Sequence, residues 1–300
     1  MSTHFFFKDV LKRSTSKSNI IFISDNAKRA AFVLAFDEIY SFLSLNFPVP
    51  DRSSFDIDIL FCRFQDLVAS DLFSYGGVSI NNFLGLHLIG SIMRPSLYIE
   101  SGFYIGTSIL AFSTLESTQE IIAFDPDHSN YLLDNNRLKP NINLYTHDFS
   151  QHDFQKENLA HSIVYFDDHI NTAERIIQAY NKGLKTLIFD DSTGFSGTMS
   201  RLFPSMPSLF FIRNIKSFSV GDEICWSISK PYNSKVLRFL PFFNKPCFYN
   251  LKFVLTKELY DLCLEANSLI RFCQKIPDLR DYAYSPKKIV DDSQYIVTLI

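Results

Sequence analysis

Acidic side chains gather at the ends of five short apolar runs in the middle of the chain. LYIE ends in Glu100, EIIAFD in Asp125 and INLYTHD in Asp148, while SIVYFDD ends in Asp167 and Asp168 with His169 next, and TLIFDD in Asp190 and Asp191. Carboxylates on neighbouring strand ends can do three kinds of work. One can accept hydrogen bonds from both hydroxyls of a ribose, which suits Asp125 because it stands about 20 residues beyond a glycine-containing turn. One can accept from an adenine amino group, which suits Asp148, although an Asp there serves equally well as the N-cap of a helix over residues 151–159. Several together can hold a hard divalent ion such as Mg²⁺, because crowded like charges repel unless a cation joins them and carboxylate oxygen is the ligand that ion prefers. The plainer reading of the Asp pairs is that one acid of each caps the next helix or turn and the others are solvated.

The turn in question is Glu100-Ser101-Gly102-Phe103-Tyr104-Ile105-Gly106-Thr107-Ser108, a strand that runs into a loop and then a helix. A ligand can approach the backbone at Gly102, which has no side chain, although an ordinary strand-to-helix turn also needs glycine for its dihedral angles alone. The spacing Gly102-x-x-x-Gly106 lacks the close Gly-x-Gly pair that seats a pyrophosphate on a helix N-terminus, which weighs against a nicotinamide-dependent oxidoreductase.

These residues need a scaffold, and the flanking pattern supplies one. Short apolar runs alternating with helical stretches from residue 96 onward predict a parallel sheet covered on both faces. Upstream, residues 19–24 read as a strand. Residues 28–45 read as a helix with Ala31, Leu34, Ala35, Ile39 and Phe42 on one face. Two further helical patterns over 55–74 and 79–93, divided by Tyr75-Gly76-Gly77, complete a helical cap. Downstream, SLFFIRN and EICWSISKP read as two strands of an antiparallel hairpin about Gly221-Asp222. Residues 256–275 read as one helix with Leu259, Leu262, Cys263, Ala266 and Leu269 at core spacing. The chain thus divides into a cap (1–94), an α/β core (95–232) and a C-terminal extension packed on the core (233–300).

Composition narrows the partners. With 46% hydrophobic and 20% charged residues among 300, the chain can bury a sizeable core. A formal net charge of −3 gives no field that would gather nucleic acid or anionic lipid. No apolar run approaches the roughly 20 residues of a spanning helix. The N-terminus places Phe5, Phe6 and Phe7 before Lys8, Lys12 and Arg13, the reverse of a secretory signal, so a cytoplasmic protein is expected. Cys62, Cys225, Cys247, Cys263 and Cys273 have no metal-site spacing and read as buried, reduced thiols. The 31 phenylalanines suggest aromatic-filled packing.

Taken in order, Glu-x-Gly-x-x-x-Gly-x-Ser, Asp-Pro-Asp, Asp148, Asp-Asp-His and Asp-Asp resemble class I S-adenosylmethionine (SAM)-dependent methyltransferases over roughly residues 75–230. Within them the order is most similar to the metal-dependent O-methyltransferases, including the macrolide-sugar, catechol and cephalosporin-hydroxylase-like groups. The resemblance implies a Rossmann-like, doubly wound, mostly parallel seven-stranded sheet with an antiparallel closing hairpin. It implies a cofactor site of Glu100, Gly102, Gly106, Ser108, Asp125 and Asp148, and metal ligands Asp168, Asp190 and Asp191 for Mg²⁺. The base is His169 or Asp167, between which the sequence does not choose. It further implies a sugar-like hydroxyl acceptor and admits a homo-oligomer; by position alone, Tyr75, Gly76, Gly77 and Asn81 are the acceptor candidates under the cap, because they precede the helix that leads into the first core strand. Where many relatives read Asp-Gly-Asp-His this chain has Asp167-Asp168-His169, so ligand and base can exchange by one position. Asn181-Lys182-Gly183-Leu184 replaces a common Pro-Gly-Gly turn. A methyltransferase-like binding protein whose catalytic residues have drifted is the alternative that these departures keep open.

Overall fold

The computed structural model describes residues 25–74, 77–133, 140–154, 159–190, 207–230, 247–277 and 294–300, so the strand expected at 19–24 lies outside the described residues. Three helices come first: α1 (Asp25–Asn46), α2 (Ile57–Val68) and α3 (Ile80–Met93). Asp56 caps α2 by accepting from the amides of Asp58 and Ile59, and Ser79 caps α3 by accepting from Asn82. The buried face of α1 is Ala31, Phe32, Ala35, Phe36, Ile39 and Leu43, whereas Leu34, expected inside, is 53% exposed. Steps of three and four residues from Phe32 to Leu43 make a tighter stripe than one through Leu34, and Phe32 and Phe36 bring more apolar surface into it. Nearly all of α3 is buried, and Gly90 lets it lie against the next helix: a Cβ there would stand 2.8 Å from Leu115 and 2.9 Å from Phe112.

The sheet follows. Strands β1 (Leu97–Ser101), β2 (Glu120–Phe124), β3 (Asn141–Tyr145), β4 (Ser162–Phe166) and β5 (Thr186–Phe189) are parallel, with α4 (Thr107–Ser113) after β1 and α5 (Thr172–Asn181) after β4. All five residues of β1 and of β4 are buried, as strands covered on both faces must be. The twofold alternation sends Tyr98, Ile121, Tyr165 and Ile188 into a core with α1–α4. It sends Leu97, Ile99, Ile122, Val164 and Leu187 into a second core on the other face, against α5.

The closing strands differ from the sequence expectation. SLFFIRN, read as a strand, contains α6 (Leu209–Arg213), capped by Ser208, because Leu209, Phe211 and Ile212 share a buried side at helical spacing. EICWSISKP does hold a strand, β6 (Glu223–Lys230), but it pairs with β7 (Cys247–Val254) as a separate two-stranded sheet. The stretch read as one helix over 256–275 splits into α7 (Lys257–Leu269) and β8 (Ile270–Lys275), and β8 pairs antiparallel with β9 (Tyr295–Leu299), which pairs antiparallel with β5. The main sheet therefore runs β3-β2-β1-β4-β5-β9-β8. It is the mostly parallel, seven-stranded, doubly wound plan expected, closed by a hairpin from the end of the chain.

The expected aromatic packing is present. Phe32, Phe61, Phe64, Phe73 and Phe83 pack ring on ring between the cap helices, and His87 of α3 stacks on Phe83 in the same fully buried cluster. Burial lowers the His87 pKa to about 4, with the Leu60 backbone opposing. A depressed histidine must gain a proton when the chain unfolds in acid. Its contribution is therefore fully present above pH 6.5 and lost as pH falls towards 4, about 3 kcal/mol in all. Urea unfolding of His87→Phe from pH 7 to 4.5 should show a shallower acid loss than the parent; an unchanged slope would contradict this.

Candidate functional site

Strand order reverses at β1, which has β2 on one side and β4 on the other, and in open α/β sheets the crevice beyond the strand ends at such a point is where ligands bind. The ladder continues past the strands. Gly102 N–H donates to Phe124 O (2.7 Å), Asp125 N–H to Tyr145 O (3.0 Å), Asp167 N–H to Ser101 O (2.9 Å) and Asp190 N–H to Phe166 O (3.0 Å). These bonds carry the acids from separate stretches of sequence to one edge.

The glycine loop is held from both sides. Gly102 and Gly106 both have positive φ, and so has Tyr104 between them (φ 44), a conformation that costs a non-glycine residue free energy. At Gly102 the absent Cβ gives clearance to the chain itself: a Cβ there would lie 2.6 Å from the carbonyl carbon and oxygen of Asp167. At Gly106 the neighbours are the Tyr131 and Leu133 side chains, each 2.8 Å from a Cβ built there. Asp125 braces the loop from β2, its Oδ2 accepting from Tyr104 N–H at 3.0 Å and its Oδ1 from Asp127 N–H at 3.0 Å. A carboxylate has about four acceptor positions, so two remain for a ligand's hydroxyls.

Glu100 lies wholly buried beneath the loop. It accepts hydrogen bonds from the Ser108 hydroxyl on one oxygen and from Tyr98 Oη (2.8 Å) on the other. Burial raises its pKa to about 8, against the pull of those two bonds and with help from the charges of Asp125 and Asp190, so at pH 7 it is largely a neutral acid. A raised carboxyl stabilises fully below its unfolded value near 4.5, and that contribution is lost as pH rises through 8. Glu100→Gln, which can keep both neighbours bonded, is expected to flatten this loss and to stabilise the protein by about 3 kcal/mol at pH 7. Unfolding curves at pH 5, 7 and 8 that fall as steeply for the variant as for the parent would refute it.

Asp148 and Asp168 meet on one side chain that sequence reasoning missed. Arg175, in the first turn of α5 and 2% exposed, donates Nη1 and Nη2 to the two oxygens of Asp148 (2.9 and 2.6 Å). Its Nε donates to Asp168 Oδ2 (2.8 Å), with Nη2 also 2.8 Å from that oxygen, and Nη1 reaches Gln178 (2.7 Å). Ser101 Oγ donates to the same Asp168 oxygen at 2.6 Å. Hydrogen bonds from Arg175 hold the Asp148 carboxyl well below the usual range. Asp148 also accepts from Ser150 N–H at the start of a 3-10 turn (Phe149–Gln151), so the cap function is realised on a shorter helix than expected. The one available signal for Arg175 was an arginine on the otherwise apolar face of α5 formed by Ala173, Ile176 and Ala179.

The second half of the crevice holds His169, Asp167 and Asp190. His169, with φ 54, presents Nε2 3.5 Å from Asp167 Oδ1, and the two side chains are 33% and 19% exposed. Burial lowers the His169 pKa, opposed by Asp190 and Asp168, which favours the neutral imidazole. Asp190 Oδ1 accepts from Asn82 Nδ2 at 2.8 Å, a contact from the helical cap that the sequence did not single out. Asn82 is buried, whereas its neighbour Asn81, the residue named from sequence, is half-buried. Gly77 packs on Thr107, where a Cβ would stand 2.1 Å from Oγ1. Tyr75, Gly76 and Asp191 lie outside the described residues. Among the described residues no three His, Cys, Asp or Glu side chains are grouped to share a metal ion, and no helix is long and apolar enough to cross a membrane.

The class defined by this architecture is a doubly wound α/β protein with a strand-end crevice lined by acids and His169. No family model and no curated protein matches the chain. Among solved structures it is similar to cmcI, solved with Mg and SAM, at 25% identity over 36% of this chain and 50% of that one, with a TM-score of 0.28. The chain thus matches half the length of that protein. It is similar to an O-methyltransferase from Bacillus cereus in complex with S-adenosylhomocysteine (SAH) at 13% identity, 88% and 97% coverage and TM-score 0.42. An SAH-bound methyltransferase from Podospora anserina gives 11%, 94% and 98%, and 0.38. Superpositions this loose add nothing to the strand order, which by itself establishes the fold.

Proposed function

We propose that this protein is a SAM-dependent methyltransferase acting on a hydroxyl of a sugar or another small polyhydroxylated metabolite. The observation that carries the reading is the placement of Asp125: at the second strand end, against the glycine loop, with acceptor capacity left over for a ribose diol. Glu100 and Ser108 brace the loop from below, and Gly102 and Gly106 keep it close to the neighbouring strand end. Asp148 lies at the third strand end with its charge matched by Arg175.

When bound, SAM supplies an electrophilic methyl group on its sulfonium. The chain's own part is to align an acceptor and take its proton. Neutral His169 is the group suited to accept that proton, because burial disfavours its charged form at rest while Asp167 and Asp190 stabilise the imidazolium once formed. The acceptor's proton would rest on His169, beside Asp167, until solvent removes it. No step is routed through a metal, because Asp168 is engaged by Arg175 and Ser101, and Asp190 by Asn82. The small net charge of −3 and the contact of α3 with Asp190 at the fifth strand end favour a small acceptor over a polymer.

Calorimetric titration with SAM, SAH and NAD tests the reading. Micromolar binding of the two sulfur nucleosides and none of NAD is expected, and failure of both to bind would overturn it. Asp125→Ala should weaken SAM binding about 10- to 100-fold, the loss of one or two charge-assisted hydrogen bonds. An unchanged affinity would remove Asp125 from the site.

A further inference from the structure

We propose that Arg175 and Asn82 stand in for the divalent cation that the pattern of strand-end acids calls for, so that this crevice works without a metal. The argument begins with charge. Acids stand at three strand ends here, Asp148, Asp168 and Asp190, and a partly buried carboxylate is held only if something cationic or strongly donating meets it. Arg175 fills the need at Asp148 and Asp168. It makes four hydrogen bonds, Nη2 lies a further 2.8 Å from Asp168 Oδ2, and its guanidinium lies 5.7 Å from the Phe149 ring centroid and 6.0 Å from that of Phe166, a seat built for it.

Asp168 Oδ2 accepts from Arg175 and from Ser101, and Oδ1 lies 3.3 Å from Ile170 N–H. An ion reaching that carboxylate would have to displace a hydroxyl and sit beside a fixed positive charge. At the fifth strand end, Asp190 Oδ1 is taken by an amide N–H of Asn82, itself held in the buried cap. Arg175 is strongly favoured over an exchangeable ion because its charge is permanent and its planar fork matches carboxylates bidentately.

The experiment is a titration of the full chain with Mn²⁺, read by the electron paramagnetic resonance signal of free ion, so that its outcome does not depend on turnover or on the methyltransferase reading. No saturable binding up to about 1 mM is expected, weaker than roughly 4 kcal/mol of association. A stoichiometric site tighter than that, with whatever ligands, overturns the proposal. In parallel, the melting temperature of the parent should be the same in Mg²⁺ and in chelator. Asp168→Asn should lower it by the same amount in both. A melting temperature that Mg²⁺ raises in the parent but not in Asp168→Asn also overturns it.

Discussion

Arg175→Met is expected to destabilise the protein by about 3–5 kcal/mol, the usual consequence of deleting one partner of a buried ion pair and leaving the other charges uncompensated. Methionine restores much of the apolar stem and its packing on Phe149 and Phe166, so the loss reports mainly on Asp148 and Asp168. Their positions make it large. Asp168 has a side chain 12% exposed and Asp148 37%, and each faces the other across the space the guanidinium fills. The pH dependence has a definite sign. Asp148 titrates below its ordinary value in the folded protein, so its pairing contributes stability above about pH 4 that is lost as pH falls further. The gap between parent and variant in urea unfolding should therefore be full at pH 7 and narrow below pH 4. Arg175→Lys should recover only part of it, since an ammonium cannot fill five acceptor contacts in a plane. A loss under about 1 kcal/mol at pH 7 would show that the two acids are solvated rather than held.

The second large effect is kinetic. His169→Ala should lower kcat by about 10²–10⁴-fold, the range for removing a general base, while leaving SAM affinity nearly unchanged. Asp167→Asn should act in the same direction with a smaller loss, because it keeps a neighbour to the imidazole while removing the charge that stabilises its protonated form. The split between kcat and cofactor binding separates this from a folding defect, which would lower both. If His169→Ala keeps most of the turnover while Asp167→Asn abolishes it, the base is the carboxylate. Turnover that survives both changes would place the proton acceptor elsewhere.

What could be read from the residues follows the range of the forces involved. Parallel strands buried on both faces leave continuous apolar runs, so β1 to β5 and their terminal acids were legible from local pattern. The same holds for α1 and α3, whose apolar residues lie within one stretch of chain. Errors came where a local pattern served two structures. SLFFIRN is apolar enough for a strand, yet its packing against the second core favours a turn of helix. The end of the 256–275 stretch became β8 because β9, some twenty residues further on, was there to pair with it.

The site divides in the same way. The sequence by itself determined which acids stand at which strand end and that the first strand leads into a glycine loop, because strand pairing turns position along the chain into position along one edge. Only the tertiary structure decided what each acid touches. Gly102 proved to clear the backbone of Asp167, 65 positions away. Asp168 and Asp148 share an arginine from the next helix, and Asp190 is met by Asn82 of the cap, 108 positions upstream. Hydrogen bonds and ion pairs form between side chains brought within about 3 Å by the packing of separate elements, and that proximity leaves no periodic trace in the residues that make it.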